Sequence, residues 1–133
     1  MLHILLDCSL SNYHILLKMT YLLALISILF GSLAQLFLKM GVVQIGRISF
    51  STDCAIKAAA NLSVWTGIIF YGMSLVLWFA VLSKLELSRA YPMVSLGYVF
   101  AMAFSYLWLG ESITLTKVIG ILMIVSGVYF ISR

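Results

Sequence analysis

Between Ala90 and Gly110 the chain carries no charged residue, and this run holds its only proline, Pro92, with Tyr91 and Ser95 close by. As a helix the run covers about 30 Å, the thickness of a bilayer's hydrocarbon core. Such a segment leaves few folds open. Lipid offers no partners for backbone N–H and C=O groups, so only helices or a closed barrel can cross it. Polar side chains within a span are costly unless they face protein or a watery cavity. Tyr91 and Ser95 therefore point to function as well as to anchoring.

Three more apolar runs stand out: Thr20–Leu38 between Lys18 and Lys39, Leu62–Ser83 ended by Lys84, and Ile113–Ser132 before Arg133. Each is near the ~20 residues a transmembrane helix needs. Lys117 lies one turn into the last run, close enough to the interface for its ammonium to snorkel out. No ten-residue alternation suggests a barrel, so the runs read as helices. Short links make successive helices antiparallel neighbours. The expected fold is thus all-α: an integral membrane four-helix up-down bundle over residues 19–133.

Composition agrees, with 64% apolar and 9% charged residues and a mean hydropathy of +1.17. At 133 residues there is no room for a soluble catalytic module beside the membrane part. The longest link, Met40–Asn61, includes Gly41, Gly46, Ser49, Ser51 and Asp53, and Ala55–Ala60 within it reads as a short interfacial helix carrying Lys57. Residues 1–18 mix apolar and polar positions without a clean amphipathic pattern. They read either as an interfacial segment or as an extension from an upstream start.

Several function classes are disfavoured. The net charge of +4 comes from Lys and Arg scattered singly between apolar runs, which is no nucleic-acid surface. Cys8 and Cys54 are far apart and lack CxxC or Cys/His spacing, and His3 and His14 both fall in the N-terminal tail. No metal site, disulfide or cofactor is expected. Without a nucleophile–base pair or a membrane-embedded carboxylate, no catalytic residue is assigned either.

Helical spacing groups the polar and small residues into stripes. Tyr91, Ser95, Tyr98, Met102 and Ser105 share one face; Gly67, Tyr71, Ser74 and Trp78 share another; Ser27, Gly31 and Gln35 step by four toward Lys39. Ordinary helix packing accounts for the serines and glycines. Gln35 is different, because an amide near mid-span needs partners: it either bonds across to a neighbouring helix or lines a cavity. Pro92 is either an opening-turn proline, cheap if the helix starts near Leu87, or a functional kink. Glu111 falls off the Tyr91 stripe and reads as a helix-end or loop residue. Gly120 and Gly127, one heptad apart, lie on one helix face and permit close backbone contact, so they are the expected dimer interface.

These residues resemble the drug/metabolite transporter superfamily, specifically its four-helix members, over about residues 20–133. Gly120–Val128 is similar to the glycine-flanked last helix by which small multidrug resistance proteins dimerise, and Tyr91 falls where those proteins place a substrate-contacting tyrosine. Trp108-Leu109-Gly110-Glu111 followed by Gly120-Ile121-Leu122 resembles the end of an EamA-type repeat. The nearest resemblance is to the paired flippase subunits for undecaprenyl-phosphate aminoarabinose. It rests on Ala34-Gln35 before Lys39 and on the Ala-Tyr-Pro-Met-x-Ser-Leu motif at Ala90–Leu96.

The departures narrow the function. Small multidrug exporters carry a first-helix glutamate that exchanges protons for cationic drug; that position here is Gly31, and no span interior holds an Asp or Glu. The tryptophan that follows their substrate tyrosine is Val94. A lipophilic cation would find no counter-charge.

The resemblance implies a flippase, or flippase subunit, of the bacterial inner membrane for a polyprenyl-phosphate-linked sugar or similar anionic amphiphile. Lys39 ends the first span at one membrane face and Arg89 begins the third at the other, and either can pair with a phosphate. Both are equally ordinary as helix-end flanks. Gln35, Tyr91, Ser95 and Tyr98, with Pro92 in the same motif, are expected to line a head-group path while the prenyl tail stays in lipid. The alternatives are a small-metabolite exporter of the same superfamily and a non-transporting membrane subunit of a larger complex. Lys18, Lys84, Arg89 and Arg133 fall on one face and Lys39, Arg47, Lys57 and Lys117 on the other, so the positive-inside rule gives no orientation. That balance suits an antiparallel homodimer or a heterodimer with a second four-helix protein.

Overall fold

A computed structural model describes the backbone of residues 2–46 and 52–131 and the side chains of residues 15–46 and 52–131. Every described element is helical: α1 (Leu2–Ile45), α2 (Thr52–Ala60), α3 (Leu62–Leu82), α4 (Leu87–Val94), α5 (Leu96–Leu109) and α6 (Leu115–Ile131). Three stretches are long and apolar enough to cross a membrane: Ile15–Ile45 of α1, α3, and α4 with α5 over Leu87–Leu109. The fourth expected run forms α6, apolar but only 17 residues long, short of the ~20 of a full span.

The first helix departs most from expectation. It is not confined to Thr20–Leu38 but runs unbroken from Leu2 to Ile45. Lysine is a good helix former, so Lys18 and Lys39 interrupt the apolar run without interrupting the helix. The chain turns at Gly46, whose φ of 85° lies in the left-handed region that glycine enters without penalty. The backbone of residues 2–18 therefore continues α1, while the side chains of His3, Cys8 and His14 lie outside the described residues. The loop helix α2 begins at Thr52, earlier than Ala55, and α6 begins at Leu115, later than Ile113. Arg47, Ser49, Ser51, Ser132 and Arg133 lie outside the described residues.

The third run starts at Leu87, not Ala90, and divides at Ser95. Pro92 sits past the opening turn, where it has no N–H for the ladder. Its carbonyl accepts from the Ser95 amide at 3.2 Å and from the Ser95 hydroxyl at 2.8 Å, and the Tyr98 amide reaches back to Ser95 O at 3.1 Å. These three-residue bonds tighten the chain locally, so α4 gives way to α5 there.

Packing centres on α1. It lies antiparallel against α3, with Phe70 stacked on Phe37 and edge-on to Phe30. Small residues bring the two backbones together: a Cβ on Gly67 would meet Leu38 Cγ at 2.7 Å and Ala34 O at 3.0 Å, and one on Gly41 would meet Val64 Cγ2 at 2.6 Å. In lipid, where apolar surface alone gives helices no reason to associate, such close contact is a main source of cohesion. At one end Ala24, Val81, Leu85 and Ala90 form the buried cluster that ties α1, α3 and α4. At the other, Asn61 caps α3 by accepting from the Ser63 and Val64 amides, and its Nδ2 donates to Gln44 Oε1 at 2.9 Å. On a neighbouring face of α1 runs α5, parallel to it, with Gly97 against Ile28 and Ser32. Among the described residues α6 touches only α4 and α5 and buries none of its own.

Candidate functional site

Because α5 packs on α1 but not on α3, a groove of about 380 Å³ opens between the three helices. Its walls take Ser27, Gly31, Ser32 and Gln35 from α1, Tyr71, Ser74 and Trp78 from α3, and Tyr91, Gly97 and Tyr98 from α4–α5. Two of the sequence stripes thus converge almost whole, because residues four apart present one helix face. Gly67 is the exception and serves the α1–α3 contact. The groove opens outward, since Tyr71, Tyr91 and Tyr98 line it while remaining 53%, 62% and 57% exposed.

At the α1–α3 wall of the groove Ser27 and Ser74 bond reciprocally, and Ser32 donates to Ile28 O at 2.9 Å. These hydroxyls are committed to backbone. The Gln35 amide is not: among the described residues it makes no hydrogen bond, and of its two readings the structure favours the cavity wall. Gln35 and Ser32 also line a smaller cavity of about 240 Å³ between α1 and α5, shared with Lys39, Ser105 and Glu111. A polar track therefore leads from the groove past Gln35 to Lys39.

That track ends at an ionic cluster. Gly110 ends α5 with φ 64°, and the turn it makes brings the Glu111 amide back to Ser105 O at 3.2 Å. In return the Ser105 hydroxyl donates to Glu111 Oε2 at 2.6 Å. The other carboxylate oxygen, Oε1, lies 3.9 Å from Lys39 Nζ. Ser105's hydrogen bond holds the Glu111 carboxyl below the usual carboxylate range; loss of solvent around it opposes this, and Lys39 and Lys117 add to it. Lys117 donates to Ser112 O at 3.1 Å. With Ser105, Glu111 and Gly120 it lines a third cavity, of about 400 Å³, between α5 and α6.

The remaining candidates fall elsewhere. Ser95 is buried and bonded to Pro92 O, off the groove wall, and Pro92 shapes the α4–α5 junction without lining the groove. Arg89 is exposed, 3.7 Å from Glu86 one turn away on its own helix and outside all three cavities. Gly120 and Gly127 have open space where a Cβ would sit. Of the Tyr91 stripe, Met102 and Ser105 face the α5–α6 cavity. Seven of the groove residues named above escaped the sequence-based site: Ser27, Gly31, Ser32, Tyr71, Ser74, Trp78 and Gly97. Five of them belonged to the recognised stripes of Ser27 and Tyr71, and only the neighbouring helix reveals what a stripe faces. Glu111 escaped as well, since its position relative to Tyr91 ignored the turn at Gly110. Among the described residues no cluster of His, Cys, Asp and Glu could hold a metal ion.

Residues 18–133 match the EamA-like transporter family. The chain is 37% identical over 121 residues to a protein of Photorhabdus laumondii, a match covering 85% of this chain and 96% of that one. It is 39% identical over 112 residues to one of Serratia proteamaculans, covering 80% and 86%. A third, from Proteus mirabilis, is 35% identical over 124 residues, covering 87% and 93%. All three carry the name "Probable 4-amino-4-deoxy-L-arabinose-phosphoundecaprenol flippase subunit ArnF". No solved structure matches the chain.

Proposed function

The chain belongs to the EamA-like transporter family and is a membrane transporter, and from that premise we propose that it is a flippase subunit for a polyprenyl-phosphate-linked sugar. The observation that carries this reading is the outward-open groove whose polar track runs from Tyr91, Tyr98 and Gln35 to the Lys39 ammonium. A head group needs shelter from hydrocarbon and a prenyl tail does not, so a groove open along one side suits a lipid-linked substrate. Lys39 is the phosphate-docking cation of this reading. Arg89, exposed beside Glu86, is the secondary candidate at the opposite end. The names of the relatives supply the substrate class, and the absence of any acidic residue within the span interiors disfavours a lipophilic cation.

In this reading α6 crosses the bilayer as the fourth helix of an up-down bundle, in the bacterial inner membrane, and is incompletely packed because it awaits another chain. Its glycines, with open space around them, form the contact surface. Since the relatives are named as subunits, the partner is a second four-helix chain of opposite orientation; an antiparallel pair of identical chains is the other outcome.

Vesicle reconstitution tests the substrate class. A short-chain polyprenyl-phosphate aminopentose and the matching soluble sugar phosphate are offered on one face, with the chain alone and with its co-purified partner. Movement of the lipid-linked form only is expected. Movement of the soluble form at a comparable rate would replace the flippase reading with that of a metabolite exporter.

A further inference from the structure

Glu111 is held firmly on one side and loosely on the other. Ser105 donates to it at 2.6 Å, whereas Lys39 Nζ stands 3.9 Å away, with the two charged side chains about half exposed. An ion pair of that length and exposure exchanges partners readily. Lys39, on its flexible stem, is the member free to swing; the carboxylate is fixed to the end of α5. Once separated, the two groups offer one cation and one anion at the same cavity, which Gln35 joins to the groove.

The charges of that cavity discriminate between head groups. A purely anionic head group on Lys39 takes the nearer cation from Glu111, which keeps the Ser105 hydroxyl and the field of Lys117 but stands beside another negative charge. A purely cationic one on Glu111 leaves Lys39 unpaired. A head group bearing both a phosphate and an ammonium exchanges the internal pair for two external ones, so every charge keeps a counter-charge. We infer that Glu111 is a specificity-determining residue that receives the amine of a zwitterionic sugar-phosphate head group while Lys39 receives the phosphate. This rests on the flippase reading and deepens it: the relatives' names already carry an amino-sugar phosphate, and the inference names the residue that reads its amine.

Equilibrium binding to the full chain in lipid nanodiscs, with its partner subunit where the two co-purify, tests the inference. The probes are a neutral short-chain polyprenol, the corresponding polyprenyl phosphate, the same phosphate lipid carrying a 4-aminopentose, and the N-acetylated form of the latter, which lacks the ammonium. Wild type is expected to bind the free-amine lipid about tenfold or more tighter than the acetylated one. Glu111→Gln keeps an acceptor for Ser105 and removes the charge; it is expected to erase that preference while binding plain polyprenyl phosphate at least as well as wild type. Glu111→Asp, which withdraws the carboxylate by one methylene, is expected to narrow the preference and serves if the Gln variant does not insert. A preference undiminished in these variants overturns the amine subsite, even if Lys39→Met weakens binding of every phosphate lipid. Failure of wild type to distinguish any of the phosphate lipids from neutral polyprenol overturns the flippase reading, and the subsite with it.

Discussion

Ser27 and Ser74 exchange hydrogen bonds across the α1–α3 crossing, each hydroxyl donating to the other's backbone carbonyl at 2.8 Å. The reciprocity needs both helices at one height and close together, and Gly31 permits this: a Cβ there would sit 3.1 Å from Ser74 Oγ. The clasp fixes the register of the groove's two longest walls. Ser27→Ala and Ser74→Ala should each destabilise the fold by about 0.6 kcal/mol, the usual worth of an interhelical bond in lipid. The double variant should cost less than about twice that if loss of one bond loosens the other. Unfolding in mixed micelles measures all three.

Gly67 should be far less tolerant. Its missing Cβ leaves room for Leu38 and the Ala34 carbonyl, and backbone cannot yield as a side-chain tip can. Gly67→Ala should cost about 1–3 kcal/mol through overpacking. Gly72, with nothing within 4 Å of its Cβ position, is the control and should accept alanine without loss.

How much of this was legible in the sequence follows from what each feature depends on. The apolar runs report local transfer energy, so α3 and the Leu87–Leu109 span were placed within a few residues. Helix ends were harder. Lys18 and Lys39 interrupt hydrophobicity but not helicity, and only the turn at Gly46 ends α1. The stripes of Ser27 and Tyr71 were visible as periodicity, but that they face one groove is a relation between helices, which periodicity within one helix cannot contain. Glu111 shows the same limit: its partner lies on α1, and the turn that brings them together depends on Gly110.

The α6 glycines separate folding from assembly. Among the described residues no other element comes within 4 Å of the Cβ position of Gly120 or Gly127, so a side chain starting there meets open space in the single chain. Gly120→Leu and Gly127→Leu should leave thermal stability of the isolated chain unchanged and lower crosslinked dimer yield in membranes severalfold. Unchanged yield in both would place the interface elsewhere.

The Glu111 cluster carries a pH dependence of known sign. Its carboxyl titrates below the ordinary value of 4.5 in the folded chain. The stabilisation from Ser105, Lys39 and Lys117 is therefore complete above that value and fades as pH falls through the lowered one. Wild type should exceed Glu111→Gln in melting temperature by a constant margin from neutral pH down to about 5, and the margin should shrink below 4.5. A margin independent of pH would mean that Glu111 stabilises by packing alone.

Lys39 is where the groove, the polar track and the proposed phosphate site meet. Lys39→Met preserves the apolar stem and removes the ammonium, while Ser105 keeps Glu111 in place. The decisive measurement is the flipping rate of a polyprenyl-phosphate-linked aminopentose in reconstituted vesicles, with insertion and dimer yield matched to wild type and Lys57→Met as the loop control. The expected result is a fall of about tenfold or more for Lys39→Met with Lys57→Met near wild type. Flipping at the wild-type rate by correctly inserted Lys39→Met would contradict the account, leave Lys39 as an interfacial anchor, and move the phosphate site to Arg89 or to the partner chain.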